Sequence, residues 1–241
     1  MVKDIYSSSS SSSPGHLTAV DNTLYFTAND GTNGIELWKS DGTSSGTVMV
    51  KNIQSGGSSS SSSPNHLTAV GNTLYFTATD GTNGIELWKS DGTSTGTVMV
   101  KDINSGGGGS SPVRFTAVGN TLYFTANDGT NGNELWKSDG TSSGTVMVKD
   151  IYSSSSSSPG DLTTVGNTLY FRAQDGSNGY ELWKSDGTSS GTVMVKDINS
   201  GVGGSSPDYL TAVGNTLYFT ANEGTNGNEL WKSDGTSSGT V

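Results

Sequence analysis

The sequence predicts an all-β fold: a five-bladed β-propeller of four-stranded antiparallel blades. The phrase ELWKSDGT occurs five times in 241 residues, and its tryptophans are separated by 50, 48, 47 and 48 residues. Each repeat holds four short runs of β-favouring residues, which is typical of one propeller blade. The repeat also wraps around the chain ends, because residues 239–241 (GTV) and residues 1–5 (MVKDI) are the two halves of the GTVMVKDI run found inside the chain. The five tryptophans are Trp38, Trp88, Trp136, Trp183 and Trp231.

The second repeat shows the order of the elements. Strands are expected at residues 67–70, 73–78, 86–90 and 97–103, which are rich in β-branched, aromatic and alternating residues. The segments between them are rich in Gly, Asn and Asp, which supply the positive φ angles of tight turns. A β-solenoid is the alternative fold, but its coils are shorter and it needs end caps.

The chain is expected to form a single domain, residues 1–241, in which residues 1–5 complete the last blade. A closed ring explains the wrapping of the repeat, from which a linear stack would gain nothing. The repeats differ in length only in the Ser- and Gly-rich linker that leads from one blade to the next. We predict that these linkers are solvated, and that the tryptophans and the Leu-Tyr-Phe runs fill the space between blades.

Composition limits the partners and the chemistry. The chain has no cysteine, which excludes disulfides, thiol chemistry and Cys-based zinc sites. Its net charge is −10, so nucleic acid and anionic membranes are not expected as partners. No run approaches 18 apolar residues, and the N-terminus lacks the charged and apolar regions of a signal peptide.

A catalytic site is not expected. The two histidines, His16 and His66, occupy equivalent positions in neighbouring repeats, and no Ser-His-acid arrangement is suggested. Asp30, Asn33 and Glu36 offer oxygen ligands at short spacing, but they fall short of a 12-residue calcium loop. Asp and Asn beside Gly are also ordinary turn residues. We therefore expect no cofactor, with a calcium site at these three residues as the alternative.

Two positions differ among otherwise near-identical repeats. One is the second residue after the proline that ends each linker, and the other is the residue directly before ELW. In a four-stranded blade both are expected on the same face, where they would form a variable rim. Loops on a rigid scaffold often carry binding residues, and relaxed constraint on exposed loops is the alternative. The candidate binding residues are His16, His66, Arg114, Asp161, Tyr209, Ile35, Ile85, Asn133, Tyr180 and Asn228.

The repeat, LTAVGNTLYFTANDGTNG followed by ELWKSDGT and GTVMVKDI, resembles the bacterial ELWxxDGT repeat family across essentially the whole chain. The resemblance implies a β-propeller-type repeat in an exported or cell-surface protein. It brings no catalytic residues that could be transferred to this sequence. The repeat number and length are also similar to those of the five-bladed tachylectin lectins, although their sugar-binding motif is not visible here.

Two functional hypotheses follow. The first is a non-catalytic structural scaffold, engineered or recently amplified, as the near-identity of the repeats indicates. The second is a lectin-like module that binds carbohydrate, or another protein or surface, at up to five equivalent sites between blades. A monomer is expected, and an oligomer that exchanges the terminal strand is the alternative.

Overall fold

The computed structural model describes residues 1–7 and 9–241, and in these residues the chain forms antiparallel β-sheets and no helix. The first sheet consists of β1 (Gly15–Val20), β2 (Thr23–Asn29), β3 (Ile35–Ser40) and β4 (Val48–Lys51). The second consists of β5 (Asn65–Val70), β6 (Thr73–Thr79), β7 (Ile85–Ser90) and β8 (Val98–Lys101). The third consists of β9 (Val113–Val118), β10 (Thr121–Asn127), β11 (Asn133–Ser138) and β12 (Val146–Lys149). The fourth consists of β13 (Gly160–Val165), β14 (Thr168–Gln174), β15 (Tyr180–Ser185) and β16 (Val193–Lys196), and the fifth of β17 (Asp208–Val213), β18 (Thr216–Asn222) and β19 (Asn228–Ser233).

Strands that follow one another in the chain pair with one another, as the sequence predicts for a repeated four-stranded unit. The turn between β5 and β6 contains Gly71 at φ 55°, a conformation that glycine adopts without strain. In the turn between β6 and β7, Asp80 Oδ1 accepts the backbone N–H groups of Thr82 and Asn83 at 2.8 and 2.9 Å. These side-chain contacts fix the turn and place the second and third strands in register.

Contacts group the chain into two units: unit 1 (Met1–Val113 with Gly140–Ser142) and unit 2 (Arg114–Asp139 with Ser143–Val241). In unit 1, Leu74 and Trp88 of the second sheet pack against Tyr25 and Leu37 of the first. Sheet therefore packs on sheet through the strand residues that the sequence marks as apolar.

Unit 2 repeats this packing twice. Phe171 and Trp183 of the fourth sheet pack against Leu135 of the third. Phe219 of the fifth sheet packs against Leu182 of the fourth. The prediction that tryptophans fill the space between sheets is confirmed for Trp88 and Trp183, which are 6% exposed and belong to clusters shared by two sheets, and for the half-buried Trp231, which packs against the cluster of the fourth and fifth sheets. Trp38 is equally buried but packs with Phe26 of its own sheet.

A buried glutamate in each of the first four ELW phrases fastens the linker that leads away from its sheet. Glu86 is fully buried, and its carboxylate accepts the backbone N–H and Oγ–H of Ser110, both at 2.6 Å, and the N–H of Ile103 at 3.1 Å. We call this arrangement the glutamate clamp. It recurs with the same kind of partners at Glu36, Glu134 and Glu181.

The clamp corrects the prediction that the linkers are solvated throughout. The serine two residues before each of four linker prolines is fully buried or nearly so, because it is held by the glutamate. The rest of each linker can vary in length while this serine keeps its place. The buried linker serines are Ser62, Ser110, Ser157 and Ser205.

Lysines add a second set of links between successive sheets. Lys39 Nζ donates to the carbonyl of Gly92, and Lys51 Nζ donates to the carbonyl of Thr97, both at 2.8 Å. In unit 2 the lysines at the same repeat positions donate to the corresponding carbonyls: Lys137 to Gly187, Lys149 to Thr192, Lys184 to Gly235 and Lys196 to Thr240.

The fifth sheet differs from the other four. It has three strands in the described part of the chain, and Val241 exchanges two backbone hydrogen bonds with Lys232, at 2.8 and 3.0 Å, where a fourth strand would begin. Leu230 is 73% exposed, whereas the leucine at the same position in the other four sheets is fully buried. Glu229 is exposed as well.

Residues 1–5 do not form the strand that the sequence predicts. Within unit 1, Lys3 Nζ donates to the carbonyl of Thr47 at 2.8 Å, and Ile5 packs against the cluster of Phe26 and Trp38. These contacts hold the segment by side chains, without strand pairing. The four-stranded sheet is thus confirmed in four repeats, and the completion of the fifth by the N-terminus stays a prediction.

Candidate functional site

The variable rim begins at a residue with an unusual backbone conformation. At the second residue after the linker proline, every repeat has a non-glycine residue with φ between 52° and 60°. A β-bulge at the start of the first strand produces this conformation, since the pairing register shifts there, for example between Asn65 and Thr68. The left-handed region costs a residue with a Cβ on the order of 1 kcal/mol or more, and such residues cluster at functional sites. The five residues are His16, His66, Arg114, Asp161 and Tyr209.

In unit 1 the rim borders an open cavity. His16 and Ile35 both line it, together with Thr27, Pro64 and Asn65, and it has a volume of about 260 Å³. The structure therefore places the two kinds of variable position on one face of this unit. Burial lowers the pKa of His66, and the nearby His16 lowers it further.

In unit 2 the corresponding place contains an arginine. Arg172 stands where the other repeats have threonine. Its Nε lies 3.1 Å from Asp161 Oδ2, its Nη1 lies 4.0 Å from Asp208 Oδ1, and its guanidinium lies 6.0 Å from the centre of the Tyr180 ring. Burial raises the pKa of Asp161, with Arg172 lowering it and the neighbouring Asp208 raising it. Two predicted rim residues, Asp161 and Tyr180, are thus joined through a residue that the sequence did not single out.

Arg114 lies on the same side of unit 2. Its Nη1 donates to the carbonyl of Pro159 at 2.8 Å, and its charge also lowers the pKa of Asp161. The remaining rim residues lie on the exposed surface: Ile85, Asn133, Tyr209 and Asn228. A binding role for the rim residues stays a prediction.

The calcium alternative is not supported by the contacts of its residues. Asp30 accepts hydrogen bonds from Thr32 and Asn33, at 2.7 to 2.8 Å, which close the turn. Asn33 Oδ1 accepts from Asn52 at 2.8 Å, and Glu36 is used in the glutamate clamp. In residues 1–7 and 9–241 no group of three or more His, Asp or Glu side chains is arranged to hold a metal ion. The three residues therefore serve separate structural contacts.

The clamp predicts a pH dependence of stability. Burial raises the pKa of Glu86, and the hydrogen bonds from Ser110 and Ile103 offset this only in part; the other three clamp glutamates shift in the same direction. A raised folded-state pKa gives stability that is present below the unfolded pKa, about 4.3, and is lost as pH rises through the folded value. We expect the free energy of unfolding to fall as the pH rises above about 4.3.

Chemical denaturation across this pH range checks the prediction, with the Glu86→Gln variant as the comparison. The variant should show a smaller fall than the wild type, because one titrating clamp is removed. An equal pH slope in both proteins would mean that the clamp does not titrate.

The turn aspartates change stability in the opposite sense at lower pH. Burial raises the pKa of Asp80, but the hydrogen bonds from Asn83 and Thr82 outweigh burial and lower it. The contribution of Asp80 to the free energy of unfolding is therefore lost as pH falls below about 3.9.

Two functional features escaped sequence reasoning. The clamp serines had a usable signal, since Ser-Ser-Pro ends every linker whatever its length. The sequence also contained a signal for Arg172, because an arginine stands there in place of the threonine of the other four repeats: Thr27, Thr77, Thr125 and Thr220. Its partners could not be foreseen, since they lie on separate strands.

No protein-family model and no curated protein matches the chain. Solved structures do match. A puromycin hydrolase matches with a TM-score of 0.54 at 14% identity, over 92% of this chain and 36% of that one. A prolyl endopeptidase matches with a TM-score of 0.54 at 12% identity, over 96% and 34% of the two chains. A puromycin-hydrolyzing peptidase from Mycobacterium tuberculosis matches with a TM-score of 0.51 at 11% identity, over 95% and 37%.

This chain spans about a third of the length of those proteins, and it is similar to their β-propeller domains. At such low identity the likeness concerns the fold alone. It supports the β-propeller character of the five repeated sheets.

Proposed function

We propose that the protein is a non-catalytic β-propeller scaffold. The observation that carries the proposal is the use of its recurring polar side chains. The clamp glutamates bind the linkers, and the repeat lysines bind backbone carbonyls of the next repeat, although both residue types could serve chemistry elsewhere. Because the same charged side chains make the same structural contacts from repeat to repeat, few charged side chains remain for catalysis.

The proposal includes the completion of the fifth sheet by residues 1–5. Leu230 and Glu229 are exposed, whereas the equivalent leucine and glutamate are fully buried in each of the four earlier repeats. Exposed apolar faces of this kind mark sites that another surface covers. Residues 1–5 carry the sequence that forms the missing strand in the other repeats.

A second function, carbohydrate binding at the variable rim, is favoured by one observation. The left-handed backbone is kept in all five repeats, although the residue on it changes from His to Arg, Asp or Tyr. A strained position with a variable side chain supports display of different groups to a ligand. Relaxed constraint would account for the variation of the side chain but not for the constant conformation.

Turnover assays separate the scaffold from an enzyme. Purified protein should show no hydrolysis of chromogenic peptide, ester and glycoside substrates above a heat-denatured control. Turnover that saturates with substrate and co-elutes with the folded protein would overturn the scaffold proposal. A glycan array with the same preparation tests the second function independently, since binding there needs no turnover.

A further inference from the structure

Four residues that depart from the repeat in charge lie close together in unit 2. The chain has two arginines, Arg114 and Arg172, and both influence the same carboxylate, Asp161. The matching positions elsewhere hold other residue types: histidine or tyrosine for Arg114 and Asp161, and threonine for Arg172. Asp208, where other repeats have glycine, asparagine or valine, joins the same group.

The group is accessible and presents both donors and acceptors. The side chains of Arg172 and Asp161 are each 31% exposed, and that of Asp208 is 43% exposed. A guanidinium has five N–H donors, and the Nε of Arg172 lies 3.1 Å from Asp161 Oδ2 in an ion pair. Tyr180 supplies a ring beneath Arg172, and the adjoining Tyr209 is 76% exposed.

The charges of the group decide what kind of ligand it suits. Arg114 and Arg172 balance Asp161 and Asp208, so their net formal charge is zero. An anion or a cation would have to compete with the existing ion pair. A hydroxyl group can accept from a guanidinium and donate to a carboxylate at the same time, and the C–H face of a sugar ring can pack on an aromatic ring.

We propose that Arg114, Asp161, Arg172, Tyr180 and Asp208 form a binding site for a neutral saccharide. This combination of residues belongs to unit 2, so the five repeats are not equivalent saccharide-binding sites. This inference rests on the second proposed function, carbohydrate binding, and narrows it from five equivalent sites to one. A protein partner fits the group less well, because protein interfaces have an apolar core inside a polar rim and this group is charged at its centre.

Reversion to the repeat residue gives a test that spares the fold. Arg172→Thr restores the threonine of the other repeats, whose hydroxyl donates to a backbone carbonyl, as Thr27 does to Gly15 at 3.2 Å. The variant should unfold at the same temperature as the wild type. Ser44→Ala, in an exposed turn of unit 1 away from the variable rim, serves as the control.

A glycan array of neutral saccharides is screened first, and the best binder is titrated by calorimetry. The Arg172→Thr variant should bind that saccharide about tenfold to a hundredfold more weakly, which is the loss expected for a hydrogen bond to a charged group. Asp161→Asn should weaken binding in the same direction, and Ser44→Ala should leave the affinity unchanged. The two arginine Nε–Hε signals in a ¹H–¹⁵N spectrum give a direct readout, and the signal lost in Arg172→Thr should shift when the saccharide is added.

Two results would overturn the inference in distinguishable ways. Saccharide binding that is unchanged in Arg172→Thr would leave carbohydrate binding in place and remove this site. The absence of binding by every neutral saccharide on the array would remove both the site and the second function, while the scaffold proposal would stand.

Discussion

The Glu86→Ala variant is expected to lose about 3 to 5 kcal/mol of unfolding free energy, because a buried acceptor and its volume disappear together. The side chain is fully buried, and its removal leaves the N–H and Oγ–H of Ser110 and the N–H of Ile103 without their acceptor. Each unsatisfied buried donor costs on the order of 1 to 3 kcal/mol. Chemical denaturation followed by tryptophan fluorescence measures the loss.

The repeat supplies internal replicates for this experiment. Glu181→Ala removes the same clamp in unit 2, where Glu181 accepts from Ser205 and Ile198. Its loss should be similar to that of Glu86→Ala. Ser44→Ala, in an exposed turn, should remain within about 0.5 kcal/mol of the wild type. A loss below about 1 kcal/mol for both glutamate variants would show that the clamp contributes little to stability.

The Trp88→Ala variant is expected to lose about 3 to 5 kcal/mol, the usual range for removal of a buried aromatic side chain. Trp88 is 6% exposed, and its ring centre lies 6.5 Å from that of Phe76. It packs in the cluster that joins the first sheet to the second, with Leu37 and Val50 across the interface.

Thermal or chemical unfolding checks this value, with Trp88→Phe as the control. The phenylalanine keeps much of the apolar volume, so its loss should be clearly smaller. Equal losses for the two variants would mean that the volume of the side chain is not what stabilises the interface. A negligible loss for Trp88→Ala would contradict its burial between sheets.

The repeated strands could be predicted because their signal is local. In the second repeat the expected strands at residues 73–78 and 86–90 match β6 and β7 closely, since alternation and turn residues specify a strand from its own sequence. The expected strand at 97–103 is longer than the observed β8, because its last residues leave the sheet and Ile103 binds the clamp glutamate.

The site could be predicted only in part for the same reason. Comparison of repeats marks Asp161 and Tyr180 as variable, which is a local fact. Their meeting through Arg172 depends on which strands lie side by side and on how a long side chain turns. The glutamate clamp could not be predicted from the sequence either. Glu86 has the pattern of an ordinary polar strand residue, and the linker serine that contacts it lies 24 residues further along the chain.

The closed ring is the central claim, and Glu229→Ala tests it most directly. Deletion of residues 1–5 is less selective, since it also removes the contacts of Lys3 and Ile5 within unit 1. If the N-terminus completes the fifth sheet, its linker covers Glu229 as other linkers cover the clamp glutamates. A closed ring then predicts that Glu229→Ala lowers the unfolding free energy about as much as Glu86→Ala does. Wild-type stability of Glu229→Ala, alongside a destabilised Glu86→Ala, would contradict closure.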